Sequence, residues 1–356
     1  MKYSLARTGA ALLLAFTLQP VLPAAAQTAD AAWAGIARYQ GADRQQKLIE
    51  GAKKEGTLTL YTSMDPPDQQ VLSDAFQKKY GIQVRTWRGL SEAVLQKTVA
   101  ENRARRYEVD VVDNNGPEME ALRREHLLQA VYSPYQADLR PGALPDHREW
   151  AGGSTDIIVQ AYNTNLIKKE DLPKTWNDLL DPKWKGKLAI EARDQHWFAG
   201  LLDILGRDQG MKLFGQIVDT NGISVRQGHT LLANLVASGE VPLALTVYNY
   251  STADIKKRGG PIEHFVISPA VGALRAIGVT RTAPHPYAAL LYYDFLLSPE
   301  GQQLLLDRAR APNSTKIDSP WRNIDLRMVD PGKSLDMYDK WTKDYETAVT
   351  KRVTNR

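Results

Sequence analysis

An α/β fold built on a parallel, doubly wound sheet is predicted by three features of the 356-residue sequence. Short apolar runs alternate with longer amphipathic stretches three times between Thr57 and Leu128, the pattern of consecutive strand–helix units. Each run ends in a polar loop: Thr62-Ser63, Arg88-Gly89 and Asp113-Asn114-Asn115. In such sheets ligands bind outside the carboxyl ends of the strands. The length is also enough for two domains.

The elements follow in order. Residues 27–56 read as a helix with a polar face, ending at Gly56. "TLTLYTS" is a strand, "MDPPDQQ" a turn and "VLSDAFQKKYG" a helix; Asp and Pro are ordinary turn formers. "IQVRTWRG" is the second strand and "SEAVLQKTVAENRARR" the second helix. "YEVDVVDNNG" and "PEMEALRREHLL" complete the third unit, with Asn114 or Asn115 placed to cap the helix and Pro117 in its first turn. A second block opens with "STDIIVQAYNTN", a strand able to cross between lobes. Then come a helix in "TWNDLLDPKW", a strand at "KLAIEA" and a helix opening near Asp194. A helix starts at His229 or Thr230, and "VPLALTVYNY" is a strand that would put Tyr248 and Tyr250 on one face and Asn249 on the other. "GALRAIGVT" returns as a strand, and "PHPYAALLYYDFLLSPEGQQLLL" gives two helices, with Tyr292 in the core and Tyr293 at its rim, or the reverse.

The first 26 residues have the form of an export signal: Lys2 and Arg7, an apolar run from Ala10 to Leu18, and Ala24 and Ala26 before Gln27. That run is too short to span a bilayer. Removing it takes two of the 45 basic residues and none of the 41 acids, so the remainder is nearly balanced and has no general attraction to nucleic acid or membrane. The absence of cysteine excludes a disulfide, a thiolate metal site and a Cys nucleophile. A periplasmic location is expected. No P-loop, GxGxxG, HExxH or GxSxG is present, so the chain is not expected to be an enzyme; a periplasmic hydrolase is the rival from another class.

The ordered set "WNDLLDPKWKGKLAI", "GHTLLANLVASGE" and "APHPYAALLYYDFLLSPEGQQLL" resembles the periplasmic solute-binding proteins of ABC importers, and within them the ferric-ion-binding group, from about Gly56 to Pro312. The resemblance implies a type II-like periplasmic-binding-protein fold, two α/β lobes joined by hinge strands that close on a ligand. Lobe one would comprise 50–152 and 270–356, and lobe two 153–269. The implied partners are a small-molecule ligand and an inner-membrane ABC permease with its ATPase, the protein itself being a monomer without a cofactor.

Carried over position by position, the group's iron ligands are mostly unmatched. Asp65 stands where the group has a His, Asn115 where it has a Glu, and Asn249-Tyr250 where it has two tyrosines. Iron would therefore rest on Asp65 and Tyr250. The alternative is a small organic anion of the phosphonate, carboxylate or sulfonate class, held where two helices start, near Arg193 and near Gly228. Lobe one is expected to contact it through Thr62, Ser63, Arg88, Ser91, Asn114 and Asn115. Lobe two would contribute Arg193, Trp197, His229, Tyr248, Asn249 and Tyr250. Each has a plainer reading: strand tyrosines usually pack, histidines usually cap, and Arg193 with Asp194 would make a surface ion pair.

Overall fold

The computed structural model describes residues 33–354, so the expected export signal at 1–26 lies outside the described residues. The predicted N-terminal helix is in two pieces, a short helical stretch at 33–38 and α1 (Arg44–Glu55). After it, β1 (Thr57–Thr62), α2 (Pro66–Tyr80), β2 (Gln83–Arg88), α3 (Ser91–Arg103), β3 (Val111–Asn115) and α4 (Gly116–Arg124) form the three expected units. β1 lies between β2 and β3 and is parallel to both. Its alternate residues Leu58 and Leu60 are fully buried against Phe76 of α2 and Val111 of β3, as a strand covered by helices requires.

A two-residue strand, β4 (Leu128–Gln129), leads to β5 (Ala151–Asn163), which is buried along its whole length. The second block then supplies β6 (Leu188–Glu191), α5 (Gln195–Leu205), α6 (Arg207–Asn221), β7 (Ser224–Arg226), α7 (His229–Ser238), β8 (Leu243–Tyr248), α8 (Asn249–Lys257) and β9 (Ile262–Phe265). The long strand β10 (Ala270–Thr280) returns, followed by α9 (Pro286–Leu297), α10 (Pro299–Asp307), β11 (Ala311–Pro312), β12 (Leu326–Met328), α11 (Pro331–Asp336) and α12 (Tyr338–Tyr345). The main sheet order is β2-β1-β3-β10-β5-β8-β6-β7.

β5 and β10 are the spine. They pair antiparallel from Ala151↔Ile277 to Ile158↔Val271; beyond that point β5 pairs with β8 and β9, while the other end of β10 pairs with β3. One half of each strand therefore belongs to each lobe. Between Arg275 and Ala276 the register shifts, leaving Gly153 as an extra residue on β5.

Two large apolar clusters flank this spine. The first joins α1, α2, β1, β3 and α9. Because α9 is apolar all round, its residues Ala288–Leu297 are all buried; Tyr292 and Tyr293 are both core rather than core and rim, their hydroxyls meeting the amides of Gln69 and Gln136 at 2.9 Å. The second cluster gathers Trp176, Trp184, Trp197, Phe198, Phe214 and Tyr345. Trp176 and Trp184 sit in 3-10 turns instead of the expected helix, since Thr175 and Asp178 form a capping box and Pro182 follows at once. From the 270–356 stretch expected in lobe one, Tyr345, Ala348 and Val349 bury in the second cluster, and Arg207 holds Asp344 at 2.6 Å.

Candidate functional site

A cleft of about 440 Å³ opens between the two halves, across the middle of β5 and β10. Its walls are helix starts: Ser91 of α3, Asn115 before α4, Asp194 before α5, His229 of α7, Tyr248 before α8 and Pro331 of α11. The sheet's topology dictates this, since a helix that follows a strand begins at the strand's carboxyl end. The residue that precedes each of α3, α4, α5, α7 and α8 makes no side-chain cap, so these helix starts lack the usual N-cap bond.

Six of the twelve anticipated contact residues line it: Ser91, Asn115, Arg193, Trp197, His229 and Tyr248. The other six do not, and each is otherwise occupied. Thr62 is fully buried and accepts from the backbone of Met64 and from Arg275. Ser63 donates to Asn114 at 2.8 Å, and Asn114, itself fully buried, donates to the Ser91 carbonyl at 2.9 Å. These three stitch β1, β3 and α3 together. Arg88 is exposed and faces Asp65 at 3.7 Å. Asn249 is buried and bonds the Ala309 carbonyl at 2.7 Å, fixing α8 to the turn before β11.

Tyr250 requires a correction of geometry. β8 ends at Tyr248 and α8 begins at Asn249, so Tyr250 is a helical residue. The two rings nevertheless stack, with centroids 5.2 Å apart and planes 12° apart. Beyond Tyr250 lies Arg310, whose guanidinium sits 4.0 Å from the Tyr250 ring centre. Arg310 is almost entirely buried and meets Asp68 at 2.6 Å, Asp156 at 3.2 Å and Asp65 at 3.5 Å. Burial alone would lower its pKa, but Asp156 and the neighbouring carboxylates more than offset this, so the cation is firmly held. The residues assigned to iron, Asp65 and Tyr250, are thus partners of a built-in cation. Burial, reinforced by Asp156, pushes the Tyr250 phenol up, and burial, reinforced by Tyr250, pushes the Tyr248 phenol up; both changes oppose phenolate formation.

The starts of α5 and α7 are not the open anion cradle the sequence led one to expect. Glu191, at the end of β6, accepts from the Gly228 N–H at 2.9 Å and from the Arg193 N–H, filling the space between the two helices with the protein's own carboxylate. Gly228 has φ of +101°, a conformation that favours glycine. Asp194 is buried and holds the His229 Nε2 at 3.1 Å; it pairs with this imidazole and not with Arg193. Burial disfavours the imidazolium, but Asp194 and then Glu191 overcome that and raise the His229 pKa. Its ring lies 4.2 Å from that of Tyr248. Glu191, Asp194 and His229 bring ligand atoms within 4.8 Å of one another, yet both Glu191 oxygens are already engaged by N–H groups.

The carboxylates are what sequence reasoning missed. Glu92, Glu118, Asp156, Glu191 and Asp194 all line the cleft. Burial raises the Glu118 carboxyl to about 7. Arg193 is exposed at the rim and has no ion pair among the described residues.

A family model described as "Bacterial extracellular solute-binding protein" matches residues 72–322. The chain is 23% identical over 266 residues to an Fe(3+)-binding periplasmic protein of Serratia marcescens, covering 72% of this chain and 78% of that one. It is 27% identical over 266 residues to a candidate 2-aminoethylphosphonate-binding periplasmic protein of Salmonella typhimurium, covering 70% and 76%. Its fold matches that of the periplasmic binding protein AfuA from Actinobacillus pleuropneumoniae, solved with fructose-6-phosphate, at a TM-score of 0.69, with 22% identity and coverage of 83% and 99%.

Proposed function

The chain belongs to the bacterial extracellular solute-binding proteins, and from that premise we propose that it captures a small organic anion in the cleft between its lobes. It is a periplasmic protein that binds a small solute for an ABC transporter, not a hydrolase. The specific docking partner in this reading is an inner-membrane permease with its ATPase. The lobes of the trap are 50–152 with most of 270–328, and 153–269 with the closing helices. β5 and β10 serve as the hinge.

One observation carries the ligand class. Arg193, without an ion pair among the described residues, stands at the rim of a cleft that also receives the starts of α3 and α4, neither with a side-chain cap from its N-cap residue. A guanidinium offers a planar fork to a carboxylate or phosphonate, and helix starts add N–H donors and a favourable dipole. Tyr248 and Trp197 supply apolar surface for the carbon skeleton, the usual mixture in a small-molecule site. The ferric reading, which the Serratia relative favours, meets Arg310 beside Asp65 and Tyr250. A trivalent cation there would face an adjoining guanidinium and two phenols held protonated.

Thermal-shift screening of the mature protein against phosphonates, carboxylates and sulfonates tests the reading. A ligand at about 100 times its dissociation constant should stabilise by about 2.7 kcal/mol. Stabilisation by ferric citrate with one bound iron, and by no organic acid alone, would overturn it.

A further inference from the structure

The charge inside the cleft is not that of a site for a plain anion. Five carboxylates line it, from Glu92, Glu118, Asp156, Glu191 and Asp194, against one arginine, Arg193, and the imidazoles of His196 and His229. A simple phosphonate or carboxylate entering there would meet repulsion from most of the wall.

The carboxylates are not equivalent. Asp156 is taken up by Arg310. Glu191 accepts two backbone N–H groups. Glu92 is exposed and accepts from Gln96 at 2.9 Å. Two are left short of donors. Asp194 is about nineteen-twentieths buried; His229 satisfies its Oδ1, but its Oδ2 has no partner among the described residues. Glu118, on the facing wall at the start of α4, has a buried Oε2 with no partner among the described residues. Unsatisfied buried acceptors of this kind carry a desolvation cost that a hydrogen-bond donor entering the cleft would remove.

We propose that the solute carries an ammonium group as well as an acid group, and that Glu118 and Asp194 recognise the ammonium from opposite walls. This rests on the organic-anion reading and sharpens it to a zwitterion: an amino acid, aminophosphonate or aminosulfonate. A primary ammonium has three N–H donors, enough to serve both carboxylates. The acid end then lies toward Arg193 and the starts of α3 and α4. Bridging Glu118 on α4 with Asp194 before α5 also gives the solute one contact on each half, which is what lobe closure around it requires.

Matched pairs of probes decide the matter by titration calorimetry on the mature protein: 2-aminoethylphosphonate against ethylphosphonate, 4-aminobutyrate against butyrate, and taurine against ethanesulfonate, with propylamine as an acid-free control. The expected result is that the amino member of at least one pair binds roughly tenfold or more tighter than its partner, and that Glu118→Gln or Asp194→Asn narrows the gap. The wild-type pairs alone give the answer if a variant fails to fold. A desamino acid that binds as tightly as its amino partner overturns the ammonium site and leaves the anion reading standing. Binding of propylamine without binding of any acid overturns the anion reading and the zwitterion with it. No binding by any probe overturns both.

Discussion

The guanidinium carbon of Arg310 lies over the ring of Tyr250, 4.0 Å from its centre, and Asp65, Asp68 and Asp156 close around the same cation. A tyrosine and an aspartate that sequence position would assign to a metal are thereby used to hold an arginine. The arrangement ties α2, β5, α8 and the turn before β11 into one unit beneath the cleft.

Arg310→Met therefore leaves Asp156 buried without its partner and Asp68 with only Arg308. Removing one member of such a buried network costs about 3–5 kcal/mol. Arg310→Lys should recover only part of this, since an ammonium lacks the planar fork that reaches several carboxylates at once. Urea unfolding of the three proteins checks the order wild type, Lys, Met.

Glu118 makes stability depend on pH. Its carboxyl is raised from 4.5 to about 7 by burial, so the native state binds the proton more tightly than the unfolded chain. The contribution is full below about 4.5 and is lost as pH rises through about 7. At about 1.4 kcal/mol per unit, the whole effect is about 3 kcal/mol. Glu118→Gln should flatten this part of the stability profile, read as urea midpoints between those two pH values.

His229 acts in the same direction by another cause. Its raised pKa comes from Asp194 and Glu191 acting against burial, so its stabilisation is present below the ordinary histidine range and fades as pH rises through the raised value. His229→Ala should remove that fade, and titration of its ring by NMR should place it above the free-histidine value.

Gly228→Ala should lower stability by about 1–2 kcal/mol. The added Cβ has room, with Leu231 at 3.9 Å as its nearest contact, so the cost comes from the positive φ and not from crowding. Ligand affinity should fall as well, because relaxing the positive φ turns away the Gly228 N–H that holds Glu191 in the cleft wall.

Much of this was legible in local pattern. Strands β1 to β3 and their polar ends follow from alternation and turn chemistry that need no distant partner. The "YNY" stretch was misread because an apolar run signals a strand but does not say where it stops; Asn249, with Ser251 and Thr252 behind it, is the helix-start signal that was available, and the Thr252 hydroxyl bonds the Asn249 carbonyl at 2.7 Å. Polar residues at strand ends were legible as being near the cleft but not as facing it: Thr62, Asn114 and Asn249 turn inward to satisfy buried backbone. Arg310 and its carboxylates come from segments more than 150 residues apart in chain order, and nothing around "RARAPNS" indicates that this arginine is buried. Glu118 and Asp194 looked like ordinary acids at helix starts, where the dipole welcomes them; only the packed walls leave their oxygens without donors.

The most direct test of the account is calorimetric titration, in metal-free buffer, of the best organic acid from the screen into wild-type protein and into Arg193→Ala. Saturable one-to-one binding to wild type, weakened about tenfold or more in the variant as loss of a charged hydrogen bond implies, is the predicted result. Equal affinity in the two proteins would contradict the placement of the acid group at Arg193, and binding only after ferric ion is restored would contradict the account itself.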